Sequence, residues 1–297
     1  MKRILFTVTA LWVGQSAWAA VPVTASFSIL GDVARQIGGD RVVMQTLVGP
    51  DQDAHVYSLT SRDVQKIRGA RLVLLHGLGL ERADIQRAVA QSKVKAVTVT
   101  RGIPTMAPAE ADHHDDHHGH DHGDVDPHLW HDPVLMQRYA QNVADALIQA
   151  DPAGRAYYTQ RLQAYQTELK QLDAWAKQSL AAIPVAQRKV LTAHEGFAYL
   201  GKRYQIRFIA PQGMSTEAQA SAKTVAAIVR QIRQEKIKAV FFENIKDERL
   251  LTRISKEAGV SVRGQLYSDA LSQKAGAPKT YAELFRYNLT RLAMAMK

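Results

Sequence analysis

The sequence predicts an α/β protein of two α/β lobes, each with a mostly parallel sheet, joined by one long rigid helix. Two observations carry this. Short β-rich runs alternate with helical stretches in the first half of the chain, stop, and alternate again in the last third; this is the pattern of βα units around parallel sheets. Between the two series, Tyr158, Leu162, Tyr165, Leu169, Leu172 and Ala176 recur at spacings of 4-3-4-3-4, which draws one apolar stripe along a single helix.

Taken in order, Met1-Lys2-Arg3 is a cationic start, residues 4–13 are mostly apolar, and Ala17-Trp18-Ala19 offers small residues at a cleavage position. Residues 1–19 therefore read as a secretory signal peptide, too short to span a membrane. Residues 20–150 form the expected N-terminal lobe, with strands at 23–29, 42–48, 72–76 and 96–99 and helices at 30–37, 61–68 and 81–91. A low-complexity His/Asp loop over 107–125 interrupts it, and helical pattern resumes at 134–150. The linking helix occupies 151–184, with Asp151 as its cap and Pro152 in its first turn. Residues 185–297 form the C-terminal lobe, with strands at 189–192, 206–209 and 239–242. Its helices lie at 197–204, 220–234 and 250–258, with a last one from Tyr281.

Removing residues 1–19 from 297 leaves 278 and takes away Lys2 and Arg3, so the formal charge falls from +10 to +8. A chain of that length tends to divide into two cores. The basic residues are scattered singly along helical stretches, as at Arg230, Arg233, Lys236 and Lys238, and read as solvated helix faces rather than a nucleic-acid surface. There is no cysteine, so neither a disulfide nor a lipid-modified cysteine is available and stability must come from burial. The expectation is a soluble periplasmic monomer.

Eight of the eleven histidines fall between Ala111 and Pro133, interleaved with aspartates. Imidazole suits zinc, copper, nickel and iron, and a carboxylate completes a site for a borderline ion. Outside the densest part, His55, His128 and His194 each stand at the end of an expected element, and Asp269 lies in a late loop. Ligands of open α/β sheets collect beyond the carboxyl ends of the strands, so these side chains have the placement needed to converge on one ion. Spacing alone leaves the bland alternative of solvent-facing loop histidines open.

The sequence resembles the solute-binding proteins of bacterial zinc and manganese ABC importers over almost its whole mature length. The likeness is carried by Gly49-Pro50-Asp51 with His55 and Tyr57, by Asp126-Pro127-His128-Leu129-Trp130 after the histidine-rich loop, and by Thr192-Ala193-His194 with Phe197 and Tyr199. It continues in Gln212-Gly213-Met214-Ser215-Thr216-Glu217, Phe241-Phe242-Glu243-Asn244 and Tyr267-Ser268-Asp269-Ala270-Leu271. The resemblance implies two lobes bridged by a rigid helix, metal held between them by His55, His128, His194 and Asp269, and delivery to a membrane permease. It also implies that zinc-preferring members carry histidine, and manganese-preferring ones a carboxylate, at the third ligand position. Glu195 adjoins His194, so a one-residue shift would exchange the two; Phe197 and Tyr199 fit the histidine version. Three imidazoles and one carboxylate suit tetrahedral zinc, whereas manganese favours more oxygen.

His113, His114, His117, His118, His120 and His122 resemble the low-affinity collector loop of zinc-handling members. Lacking apolar anchors, they would order only on binding metal. A periplasmic metal buffer or chaperone acting through this loop is the alternative function. His131, beside Asp132, reads as an orienting or surface residue, and His76 as structural. Glu217 and Glu243 read as orienting partners or as docking carboxylates. No G-x-x-x-x-G-K-[ST] pattern occurs, so energy for transport would come from another subunit. A hydrolase is disfavoured because four protein ligands leave no open position on zinc. Release would require ligands to move, with Asp269 and its loop the expected mover.

Overall fold

The computed structural model describes residues 19–107, 125–217 and 220–297. Residues 1–18 of the expected signal peptide, and His113, His114, His117, His118, His120 and His122, lie outside the described residues.

Two four-stranded, all-parallel sheets form the two lobes. The first contains β1 (Val21–Phe27), β2 (Val42–Val48), β3 (Leu72–Leu75) and β4 (Ala96–Thr98) in the order β2-β1-β3-β4. The second contains β5 (Lys189–Leu191), β6 (Arg207–Ile209), β7 (Ala239–Glu243) and β8 (Val262–Leu266) in the order β6-β5-β7-β8. The two orders are the same, so each lobe has a point where its strand order reverses and its loops diverge, the usual place for a ligand.

Helices cover both faces of each sheet, as parallel strands require. On the first lobe, α2 (Ser61–Gly69) and α3 (Ala83–Ser92) enclose an outer core of Leu47, Ile67, Val73, Ile85 and Val89. On the second, α7 (Ala222–Glu235) and α8 (Arg249–Ala258) pack Ile228, Ile232, Leu251 and Ile254 against Leu191 and Val240. The inner faces share one continuous core. It runs from β1 and α1 (Ser28–Gly38) through α4 (Leu135–Ala150), α5 (Arg155–Leu180) and α9 (Tyr281–Met296) to β5, β7 and α6 (Ala198–Tyr204).

The helix α5 is the bridge, 26 residues long and so roughly 39 Å at 1.5 Å per residue. Tyr158, Leu162, Tyr165, Leu169, Leu172 and Ala176 are all buried along it. Asp151 does not cap it, because its carboxylate is taken by Arg41 (2.7 Å) and the Tyr158 hydroxyl (2.8 Å), and Pro152–Gly154 form a 3-10 turn before it. At the other end Arg188 donates to the carbonyls of Leu180 and Ile183, satisfying groups the helix leaves free. Two features differ from expectation: β1 and α1 each begin two residues earlier, at Val21 and Ser28, and β8 was not anticipated. The sequence Val262-Arg263-Gly264-Gln265-Leu266 shows no apolar alternation, and it is an edge strand with an irregular register against β7. Among the described residues no helix is long and apolar enough to cross a membrane.

Candidate metal centre

His55, His128, His194 and Asp269 lie in the loops after β2, β4, β5 and β8, and each offers one ligand atom within 4.8 Å of all the others. The first lobe supplies two and the second lobe two. All are buried.

Each histidine is set by a local device. His55 donates its backbone N–H to Asp53 Oδ1 (3.0 Å), and His128 does the same to Asp126 Oδ1 (2.9 Å). In both, an aspartate two residues earlier folds the turn onto its own backbone. The His128 ring also donates Nδ1–H to Asp126 Oδ1 (2.7 Å). His194 is held by Glu243 at the end of β7: the carboxylate accepts Ala193 N–H (2.7 Å), His194 N–H (3.0 Å) and the ring Nδ1–H (2.5 Å). These bonds hold Nδ1 of each ring against a carboxylate, so that the Nε2 atoms of His128 and His194 are the ones turned to the interior. Gly196 leaves room, since a Cβ there would fall 2.7 Å from the His194 ring.

The Nε2 atoms of His55 and His128 are 3.2 Å apart and those of His128 and His194 3.3 Å. Asp269 Oδ2 is 3.4 Å from His55 and 3.3 Å from His194, and Oδ1 is 3.7 Å from His128. Neither Asp269 oxygen has a hydrogen-bond partner, though the residue is 1% exposed. A buried carboxylate left without donors is costly unless a cation lies against it.

The electrostatics agree. For His194, burial alone would lower the pKa, but the carboxylates of Glu243 and Asp269 outweigh it and hold the imidazole well above 6.5. For Asp269, burial pushes upward, yet His194 and His128 hold it well below the usual carboxylate range. Glu243 is lowered in the same way, with His194 overcoming burial. Burial dominates at His55 and lowers it, which keeps that ring neutral.

The remaining candidates separate clearly. Glu195 turns away from the cluster and lines a different cleft with Phe197 and Phe208. His131 is neither on the surface nor among the converging atoms; its ring lies 4.5 Å from Phe197, and burial depresses it to about 3. His76 is buried beneath the centre, with Nδ1 at 3.1 Å from the Tyr139 hydroxyl and Nε2 at 2.8 Å from the Pro127 carbonyl, and so supports the loop carrying His128. Glu217 pairs with Arg82 across the seam between the lobes. Asp126, which sequence reasoning left without a role, is the orienting carboxylate of His128; the repeated Asp-x-His spacing at 53–55 and 126–128 was its signal.

Comparison with known proteins follows the same lines. A family model described as zinc-uptake complex component A, periplasmic, matches residues 23–295. The chain is 31% identical to the manganese-binding lipoprotein MntA of Bacillus subtilis, covering all of this chain and 98% of that one. It is 31% identical to the iron-binding protein YfeA of Yersinia pestis, covering 91% and 85%. The periplasmic zinc binding protein TroA of Treponema pallidum superposes with a TM-score of 0.85 at 27% identity, covering 94% of this chain and 99% of that one. A manganese-bound periplasmic metal binding protein from Candidatus Liberibacter asiaticus superposes at 0.80 with 27% identity, covering 93% and 99%.

Proposed function

The chain belongs to the family of periplasmic zinc-uptake component A, solute-binding proteins of metal ABC importers rather than enzymes, and from that premise we propose that its cargo is Zn²⁺, held by His55, His128, His194 and Asp269. One observation carries the choice of metal. In a regular tetrahedron the ligand atoms stand roughly 1.6 bond lengths apart, which for Zn–N and Zn–O bonds of about 2.0–2.1 Å is about 3.3 Å. Four of the six ligand pairs stand 3.2–3.4 Å apart, His128 lies 3.7 Å from the second Asp269 oxygen, and no pair exceeds 4.8 Å. Three imidazoles and a single carboxylate form a donor set suited to zinc, with no position left for water.

Manganese is the second reading. It draws on the relatives named for that metal and on the approach of both Asp269 oxygens to the ring nitrogens, from which a higher coordination number could be built. In either case the ion is cargo, to be handed to the membrane permease of the importer. We place the mature protein in the periplasm as a monomer without nucleic-acid partners, and assign the His-rich segment the role of a collector of metal rather than the tight site.

Metal analysis tests this. The mature protein is stripped and dialysed against equimolar zinc and manganese, alongside a form lacking 112–124 and a His194→Ala form. One tight zinc kept without the loop and lost with His194→Ala is expected. Manganese retained in its place overturns the choice of metal, and loss of tight binding with the loop moves the function to the loop.

A further inference from the structure

The four converging side chains are not equally sealed. His128 and His194 are 0% exposed and Asp269 1%, whereas His55 keeps 8%. His55 also lines a cavity of about 580 Å³ at the seam of the lobes, together with Leu80, Arg82 and Gln86 from the first lobe and Ser215 and Glu217 from the second. A divalent ion with six waters needs on the order of 200 Å³ at about 30 Å³ per water, so the cavity admits it hydrated. Asp269 differs: the cleft of about 400 Å³ beside its segment is lined by Leu271 and Ser272 but by none of the four converging residues. Its loop is pinned to the first lobe by Trp130 Nε1–H on the Ser268 carbonyl (2.8 Å), Leu271 N–H on Ser28 Oγ (3.1 Å) and Asp51 N–H on the Leu271 carbonyl (2.8 Å).

The segment carrying His55 is gripped by the second lobe from two directions. Arg82 pairs with Glu217 across the cavity, and the same guanidinium nitrogen donates to the His55 carbonyl (3.4 Å). On the other side, Asp53 accepts the His55 N–H and the Thr216 hydroxyl (2.5 Å), with Lys246 Nζ at 3.6 Å. Adjacent residues 216 and 217 therefore hold both flanks of one ligand.

We propose that the metal ion enters and leaves through this cavity, meeting His55 first, and that Arg82–Glu217 and Asp53–Thr216 are the latch that closes it. This rests on the four-ligand reading of the centre. An ion pair as exposed as Arg82–Glu217 holds weakly, so its removal should quicken exchange by a modest factor rather than by orders of magnitude.

The test is stopped-flow kinetics of Zn²⁺ binding, and of its release into excess chromophoric chelator. Arg82→Gln and Glu217→Gln should each raise both rates about fivefold while changing the equilibrium affinity less than twofold. Arg82→Glu combined with Glu217→Arg should return the rates towards wild type. Gln86→Trp, which fills the cavity without touching a ligand, should slow both rates. Tight, His194-dependent zinc with rates indifferent to all four variants overturns the portal alone. A wild-type protein with no His194-dependent zinc overturns the four-ligand reading, and the portal with it.

Discussion

At the scale of single residues, the centre is organised by carboxylates behind the rings. Glu243 and Asp126 each hold one imidazole by Nδ1; loss of such a partner usually costs 10–100-fold in metal affinity. Asp126→Asn should weaken zinc binding within that range while leaving stoichiometry at one, as measured by competition with a chelator. His194 adds a pH dependence. With its pKa held well above 6.5 between Glu243 and Asp269, it carries a proton at neutral pH in the metal-free protein, and zinc must displace it. Affinity should therefore fall as pH drops through the whole range below that raised pKa, not only below about 6.5. The ion-paired proton stabilises the metal-free fold at low pH, and that contribution disappears as pH rises through the raised value. Calorimetry of Zn²⁺ binding at pH 7 in buffers of different ionisation enthalpy should show about one proton released per ion. Release near zero would show that His194 is already neutral. His55, His128 and His194 were readable because each stands at the end of an expected element, whereas Asp269, with no expected strand before it, was read from its motif Tyr267-Ser268-Asp269-Ala270-Leu271. The pairing of Glu243 with His194 was not fixed by sequence, since 49 residues separate them and only the adjacency of β5 and β7 brings them together.

At the scale of elements, the apolar stripe on α5 was the most legible feature. Residues spaced at alternating fours and threes have to share one face of a helix, and all six are buried. What the stripe could not reveal is that Asp151 serves Arg41 and Tyr158 instead of capping the helix, because the competing partner is distant in sequence. Leu169 sits in the middle of α5 with 0% exposure, inside the core shared by both lobes. Leu169→Ala should lower the unfolding free energy by about 2–5 kcal/mol. Gln163→Ala, on the exposed side of the same helix, should change it by less than about 0.5 kcal/mol. Urea unfolding of the two variants measures this, and equal effects would mean that α5 does not carry the core. The edge strand β8 escaped detection for the opposite reason: with an arginine and a glycine inside it, it owes its existence to pairing with β7 rather than to any pattern of its own.

At the scale of the whole molecule, two buried histidines outside the centre make the fold sensitive to acid. Burial depresses His76 and His131 to about 3, while both would titrate near 6.5 in the unfolded chain. Above 6.5 neither folded nor unfolded form binds the proton and stability is complete. Between 6.5 and 3 the unfolded chain takes it up preferentially, and each histidine withdraws roughly 1.4 kcal/mol per pH unit. By pH 5 the pair would withdraw about 4 kcal/mol, a large part of the roughly 5–15 kcal/mol typical of a folded protein. The two are not alike, however. His76 makes two polar contacts that hold the His128 loop, whereas His131 Nε2 has no hydrogen-bond partner and its ring lies against Phe197. Removing that nitrogen therefore discards an unsatisfied polar atom together with an acid-labile group. His131→Phe should be nearly neutral at pH 7 and should remove about 2 kcal/mol of the stability lost between pH 7 and pH 5, read from urea unfolding of the metal-free protein. Acid sensitivity identical to wild type would mean that His131 is already charged in the folded state, at odds with its seal of apolar and aromatic neighbours.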